Sequence, residues 1–295
     1  MAVDVVPELT QTIRRSFQDR MMRDRRLAGV TNRIRDGTVT SVDGHVYAER
    51  AGINLSGALQ DAIREDTLPD GRMYYNIATR TVTPALREVY DLVNEASADI
   101  LRISDEAAGF GLEPVRADFP QSRIDGLIEK LVDPDYDFSQ MIVWLGEPII
   151  NNAEAFEDDF VRANADFRSR SGLETTITRT AARSCCTWCG DLAGSYSYDR
   201  APEDIYRRHE FCRCVVTFHS ERSGTSQDVW SKRVWQSSPA DLQQRQLTGV
   251  DEARITAEER INQAERMERD RQIAAYMAAT GANRRTAQSR TARRR

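Results

Sequence analysis

Lysine and histidine are both scarce in this 295-residue sequence, and their scarcity excludes several enzyme classes. Only two of the 41 basic residues are lysines, Lys130 and Lys232, and neither lies in the G-x-x-x-x-G-K-[ST] pattern of a phosphate-binding loop. The three histidines are His45, His209 and His219, and none forms an H-E-x-x-H pair. The G-x-S-x-G nucleophile elbow is also missing. P-loop NTPases, H-E-x-x-H metalloproteases and hydrolases with that elbow are therefore excluded.

Long apolar runs are missing as well. No stretch approaches the roughly 20 apolar residues of a membrane-spanning helix, and no N-terminal pattern of a secretory signal is visible. We therefore expect no membrane partner and synthesis in a reducing cytoplasm, where clustered cysteines bind metal more often than they form disulfides. Acidic residues outnumber basic ones, 46 to 41, so a uniformly basic nucleic-acid coat is not expected.

The first part of the chain has the spacing of amphipathic helices. An apolar residue recurs at every fourth position near the N-terminus, which predicts one buried helical stripe: Leu9, Ile13, Phe17 and Met21. A later helix is predicted to begin at Thr83, a plausible N-cap, with Pro84 at its first position, where the missing N–H costs nothing. Leu68–Gly71 reads Leu-Pro-Asp-Gly, which predicts a turn.

A further helix is predicted over Asn152–Arg168, and it is rich in acids. Three phenylalanines are expected to face the core: Phe156, Phe160 and Phe167. The acids have no ligand partner elsewhere in the sequence, so we interpret them as a solvated face rather than a metal site: Glu154, Glu157, Asp158 and Asp159.

All five cysteines fall between residues 185 and 214. Cys186-x-x-Cys189 is followed by His209-x-x-Cys212-x-Cys214, and two ligand pairs separated by such a loop are typical of a structural zinc site. Zinc would add folding free energy that a small module lacks. The predicted cofactor is Zn²⁺, and the predicted ligands are Cys186, Cys189, His209 and one or both of Cys212 and Cys214.

Cys185 is expected to be a spare thiol, because adjacent residues seldom point at one ion. Three alternatives stay open for the cysteines. They are a disulfide with free thiols, buried reduced cysteines, and a catalytic dyad of Cys212 with His209.

The pattern around the cysteines favours an α+β fold that is mainly α. Leu173–Thr180 is rich in threonine and isoleucine and predicts a strand, as does the segment from Cys214 to Phe218. The predicted organisation is a mainly helical region (1–170), a zinc-binding β module (171–222), a linker (223–249), a helix (250–281) and a basic tail (282–295).

The residues around the ligands resemble a known family. Cys186-Thr-Trp-Cys189-Gly-Asp-Leu-Ala-Gly194, then Tyr196-Ser-Tyr198, then His209-Glu-Phe-Cys212-Arg-Cys214 are similar to the pattern of tailed-phage minor head proteins. This is the head-morphogenesis family typified by the Mu protein F-like proteins. The close likeness covers about 35 residues. Leu68–Ala78 also resembles the N-terminal regions of such proteins, but less closely. Glu210 departs from the pattern, because the family usually has proline there.

The resemblance implies a non-enzymatic component of the virion head, made in the host cytoplasm. It implies action near the portal, in head assembly or in DNA packaging and ejection, with the portal protein and the major capsid protein as partners. The tail adds six arginines and no acid, and its expected partner is packaged double-stranded DNA or an acidic face of the portal or capsid: Arg284, Arg285, Arg290, Arg293, Arg294 and Arg295.

Two enzymatic or DNA-binding functions are alternatives to this interpretation. A zinc-stapled DNA-binding protein or nuclease would use the same zinc ligands, and a nuclease would need a separate catalytic histidine. No His-Asn-His pattern surrounds His45 or His219. An ADP-ribosyl transferase would need a Q-x-E loop. Gln263-Ala-Glu265 fits those letters, but it lies inside the predicted last helix.

Overall fold

The computed structural model describes residues 4–183, 185–222, 225–227, 234–236, 267 and 271–281. The fold is α+β and mainly α, as the sequence predicts. The chain forms two compact units, one of Met1–Ser104 with Leu112–Glu221 and one of Asp105–Gly111 with Arg222–Arg295. Among the described residues, no helix combines the length and apolar character needed to cross a bilayer.

The first unit contains eight helices among its described residues. Their bounds are α1 (Val6–Arg23), α2 (Arg25–Asp36), α3 (Asp43–Ala62), α4 (Tyr75–Ala108, whose last residues belong to the second unit), α5 (Gln121–Leu131), α6 (Phe138–Met141), α7 (Glu147–Arg170) and α8 (Thr187–Leu192). Short 3-10 turns lie at Glu65–Thr67, Pro69–Gly71, Ile142–Leu145, Tyr198–Arg200 and Glu203–Tyr206.

A small sheet follows α7. Its strands are β1 (Leu173–Thr180), β2 (Gly194–Ser197) and β3 (Val215–Arg222), in the order β2-β1-β3. β1 and β2 are antiparallel, with Ile177 opposite Tyr196. Alternate residues of β1 are buried, as the period of two along a strand requires. The two strands predicted from the sequence, over 173–180 and from 214 to 218, are confirmed.

The N-terminal stripe is also confirmed. Leu9, Ile13 and Phe17 are each at most 5% exposed, and the half-buried Met21 packs against the same core. α1 packs on α3, which in turn packs on α7. The turn at Leu68–Gly71 is a 3-10 turn in which Asp70 has a φ of 52°.

Pro84 does not begin a helix, contrary to the sequence-based prediction. It lies inside α4, and the helix continues on both sides of it. Ala78, Val82 and Leu86 recur at spacing four, are completely buried and form one stripe across the proline. Burial of that stripe offsets the roughly 3 kcal/mol that an interior proline costs a helix. The helix end therefore follows tertiary packing and not the local capping pattern.

The helix predicted over Asn152–Arg168 is α7, which begins earlier, at Glu147. Phe156 and Phe160 are buried as predicted, but Phe167 is 36% exposed, so that part of the prediction is wrong. A single helix presents only one stripe to the core, and near the end of α7 that stripe consists of Val161, Ala165 and Arg168.

The second unit is described only in parts. β4 (Thr225–Gln227) pairs antiparallel with β5 (Val234–Gln236), inside the segment predicted to be a linker. Residues 271–280 form a helix, α9, which ends at Gly281 with a φ of 67°, a left-handed conformation that glycine adopts without strain. The rest of the predicted helix (250–281) and the tail (282–295) lie outside the described residues, apart from residue 267.

The backbones of α3 and α7 approach each other closely at Gly52. A Cβ at Gly52 would lie 2.8 Å from Cβ of Ala153 and 2.9 Å from Cα of Ile150. Gly52→Ala should therefore force the two helices apart and lower the free energy of unfolding by about 1–3 kcal/mol, measured by urea denaturation.

Gly126 in α5 is the matched control for this substitution. A Cβ there would have nothing within 4 Å, so Gly126→Ala should stabilise the protein by about 0.5–1 kcal/mol through helix propensity alone. Equal effects of the two substitutions would contradict the close approach of α3 and α7.

Candidate metal centre

The first ligand pair lies at the start of α8. Cys186 is the N-cap of this helix, and its Sγ accepts a hydrogen bond from the Cys189 backbone N–H at 3.5 Å. One helical turn thus brings both sulfur atoms to the same side. Cys186 is exposed, whereas Cys189 is completely buried. This local geometry follows from the C-x-x-C spacing itself.

The second ligand group lies in the turn before β3. The Cys212 N–H donates to the His209 carbonyl at 3.1 Å, which closes the turn around Phe211, a residue with a φ of 59°. Cys212 and Cys214 are each 2% exposed. Nδ2 of Asn151, on α7, donates to the same His209 carbonyl at 3.3 Å and holds the turn against the helix.

The five predicted ligands come together as two overlapping groups. Atoms of Cys186, Cys189 and His209 lie within 4.8 Å of one another, as do those of Cys189, Cys212 and Cys214. Nε2 of His209 is 3.3 Å from Sγ of Cys186 and 3.1 Å from Sγ of Cys189, and Sγ of Cys189 is 3.7 Å from Sγ of Cys212. Ligand atoms around a tetrahedral Zn²⁺ are about 3.5–3.8 Å apart. The cluster can therefore hold a metal ion.

The ring of His209 is oriented for coordination. Its Nδ1 lies 2.6 Å from the carbonyl oxygen of Glu210, which can only accept, so Nδ1 carries the proton. Nε2 then offers its lone pair toward the two sulfur atoms. A metal-binding histidine is usually held in this way by a hydrogen bond at its other nitrogen.

Two thiols of the cluster have shifted pKa values. Burial is the main cause that raises the pKa of Cys189 to about 12. Burial also acts to raise the pKa of Cys214, but hydrogen bonds with the Ala182 backbone, Cys189 and Cys212 outweigh it, and the pKa is lowered. Without a cation the Cys189 proton is held firmly, and a bound metal ion would displace it. Cys185 is half-buried and belongs to neither ligand group.

Two arginines beside these ligands reach the acids of α7. Nη2 of Arg208 donates to Oδ1 of Asp158 at 3.1 Å, its Nε contacts the other carboxylate oxygen, and its Nη1 lies 3.5 Å from Glu154. Arg213 pairs with Glu147 at 2.6 Å and with Glu154 at 3.2 Å. The side chains of Arg208, Asp158 and Glu154 are at most 5% exposed. This network ties the ligand-bearing turn to the helical core.

The interpretation of the α7 acids as a solvated face is therefore wrong. Glu154, Glu157 and Asp158 are at most 4% exposed, and the half-buried Asp159 pairs with Arg123 at 2.8 Å. α7 is covered by α3 on one side and by β1 and the 3-10 turns of the cysteine module on the other. The partners lie dozens of residues away, so no local pattern in the sequence could have identified them.

His45 is part of the same network. Its Nε2 lies 2.6 Å from the carbonyl oxygen of Val216 and therefore carries the proton, and its Nδ1 faces Nη2 of Arg208 at 3.3 Å. Burial is the main cause that lowers the pKa of His45 to about 4. The neutral ring joins α3 to β3. The third histidine, His219, is on the surface beside Glu221.

The buried carboxyl of Glu157 predicts a pH effect on stability. Burial raises its pKa to about 7, and Ser97 donates a hydrogen bond to it. Because the folded protein holds this proton above the ordinary pKa of 4.5, the group loses stabilising free energy as the pH rises from about 4.5 to 7. The stability of Glu157→Gln relative to the native protein should therefore rise over this range, by up to about 3 kcal/mol.

Urea denaturation at several pH values measures this difference. His45 titrates in the same range, but both proteins contain it and its effect cancels. The exposed Glu129 is a matched control, and Glu129→Gln should give the native pH profile. A constant difference between Glu157→Gln and the native protein would contradict the prediction.

Comparison with known proteins identifies no relative: no protein-family model, curated protein or solved structure matches this chain.

Proposed function

We propose that the cysteine cluster is a structural zinc site. The ligands are Cys186, Cys189, His209 and Cys212, and Cys214 lies alongside as a hydrogen-bond partner of the buried thiols. The observation that carries this proposal is that a C-x-x-C turn and an H-x-x-C turn, far apart in sequence, meet at Cys189. Its Sγ lies 3.1 Å from Nε2 of His209 and 3.7 Å from Sγ of Cys212. Four protein ligands leave no open position for a substrate, which supports a stabilising and not a catalytic role.

We propose further that the protein is a minor head protein of a tailed bacteriophage. The resemblance of residues 186–214 to minor head proteins supports this proposal. The zinc site would also make the cysteine module rigid where it packs on the helices, which suits a structural role. The protein would act near the portal, in contact with the portal protein and the major capsid protein, and would be a component of the virion head made in the host cytoplasm. It would not be an enzyme.

Two measurements test these proposals separately. Elemental analysis of protein purified under reducing conditions should give about one zinc ion per chain, and a chelator should lower its melting temperature. A metal-free protein with two intact disulfides would overturn the zinc site. Mass spectrometry of purified particles should detect the chain in filled heads. Its absence from particles, in cells that produce it, would overturn the virion assignment whatever the metal content.

The tail carries the DNA part of the proposal. If all six arginines of residues 282–295 contact phosphates, the binding constant should fall with salt at a log–log slope of about −5. Deleting residues 282–295 should then abolish binding to duplex DNA, measured by fluorescence anisotropy at two salt concentrations. Unchanged binding after the deletion would remove the tail from the DNA interface.

The alternative of a zinc-stapled nuclease is less well supported. Such an enzyme needs a histidine free to activate water, in addition to the zinc ligands. His209 lies in the cluster, and both ring nitrogens of the buried His45 are engaged. The exposed His219 lies beside Glu221, outside any His-Asn-His pattern. A plasmid-nicking assay with and without a divalent cation distinguishes the two, because the head-protein proposal predicts no cleavage.

A further inference from the structure

A buried arginine lies against the metal centre without a carboxylate partner. Arg179, near the end of β1, is 2% exposed. Its Nη1 donates to the carbonyl of Ile205, and its Nη2 donates to the carbonyl of Arg207 at 3.0 Å. Across the part of the chain that the structure describes, no carboxylate lies within ion-pair distance of this guanidinium. Carbonyl groups alone do not neutralise it.

Arg179 also contacts the ring of Trp188, with its Cζ 5.6 Å from the ring centroid, and two sulfur atoms. Nη2 lies 3.6 Å from Sγ of Cys189 and 3.6 Å from Sγ of Cys212. An arginine side chain stays charged in proteins, and a buried charge without a counter-charge costs several kcal/mol. The two sulfur atoms are the groups in contact that can carry the opposite charge.

We propose that Arg179 is the counter-ion of the metal centre, donating from Nη2 to the thiolates of Cys189 and Cys212. This inference rests on the proposed zinc site and adds a residue outside the ligand set. Three thiolates and one neutral imidazole around a divalent cation leave one negative charge, which a single guanidinium balances. Four thiolates would leave two. The one guanidinium among the described residues that donates to these sulfur atoms, that of Arg179, therefore favours the set with His209 as the fourth ligand.

Arg179 acts on the metal through its ligands and is a positioning residue. Its hydrogen bonds hold the two buried sulfur atoms together and withdraw charge from them, so a bound ion is retained more tightly and the thiolates react more slowly with electrophiles. Outer partners of metal ligands typically account for a 10- to 100-fold change in affinity. The strand position of Arg179 fixes this contact, because β1 lies in the middle of the sheet.

The test compares Arg179→Met, Arg179→Lys and a control, Arg200→Met, at an exposed arginine of the same module. Zinc affinity is measured by chelator competition, and thiolate reactivity by the rate of iodoacetamide alkylation of the zinc-loaded protein. Arg179→Met should lower zinc affinity 10- to 100-fold and speed alkylation. Arg179→Lys should recover part of the zinc affinity and part of the protection from alkylation, because lysine keeps the positive charge but lacks the planar guanidinium. Arg200→Met should match the native protein.

Each outcome bears on one proposal. Native affinity and alkylation rate in Arg179→Met would overturn the counter-ion, and equal losses in the Met and Lys variants would show that the shape of the side chain matters and not its charge. If Arg179→Met does not fold, Arg179→Gln replaces it as the neutral variant, and native zinc affinity in that variant overturns the proposal. A native protein that binds no zinc would overturn the metal centre itself, and the counter-ion with it.

Discussion

A Cys189→Ser protein is expected to lose its metal and to lose the fold of the cysteine module. Cys189 is the residue shared by both ligand groups, and its side chain is completely buried. In isolated zinc fingers the metal contributes about 10–16 kcal/mol of apparent free energy, as much as the whole stability of an ordinary domain, about 5–15 kcal/mol. Zinc stoichiometry and scanning calorimetry measure both losses.

Cys185→Ser is the matched control for this substitution. The neighbouring Cys185 is half-buried and lies outside both ligand groups, so its replacement should leave one zinc per chain and change the melting temperature little. Cys186→Ser should resemble Cys189→Ser in zinc loss. Equal effects of all three substitutions would show that the ligand register is wrong.

Arg208→Met is expected to give the second large effect. It leaves the carboxylate of Asp158, whose side chain is 2% exposed, without its cation, and it removes one partner of Glu154. Breaking a buried ion pair from one side costs about 3–5 kcal/mol, which corresponds to a fall of roughly 6–20 °C in melting temperature for a unit of this size.

Two further variants isolate the electrostatic cause. Arg102→Met breaks a surface pair with Asp99 in which both side chains are about half exposed, and it should cost at most about 1 kcal/mol. Arg208→Met combined with Asp158→Asn removes both charges and should be more stable than Arg208→Met alone. Zinc content is measured in every variant, because Arg208 precedes His209. A loss within 1 kcal/mol for Arg208→Met would contradict the role of the network.

The sequence allowed the local features to be predicted. The stripe of Leu9, Ile13 and Phe17 follows from a spacing of four, and the two strands follow from their β-branched residues. The C-x-x-C pair could be interpreted because both sulfur atoms lie within one helical turn. In each case the interacting residues are within a few positions of one another, where periodicity and spacing carry the signal.

The errors arose where local pattern and tertiary packing disagree. Thr83 and Pro84 have the form of a helix start, yet the buried stripe of α4 continues through them. Phe167 fits the apolar spacing of α7, but the buried side chain in that turn is the neighbouring Arg168. Local propensity is a weak prior, and burial of an apolar face overrides it.

The sequence by itself determined the helical N-terminal region, the strands that flank the cysteines and the residue types able to hold a metal. Only the tertiary structure decided that Glu154, Glu157 and Asp158 of α7 are buried. It also decided that Arg208 and Arg213 pair with Glu154 and Asp158, and that Arg179 meets the sulfur atoms of the cluster. The physical reason is distance along the chain: Arg208 is 50 residues from Asp158 and 163 from His45. Charges so far apart in sequence show no periodicity, and whether they become a solvated face or a buried network depends on which elements pack around them.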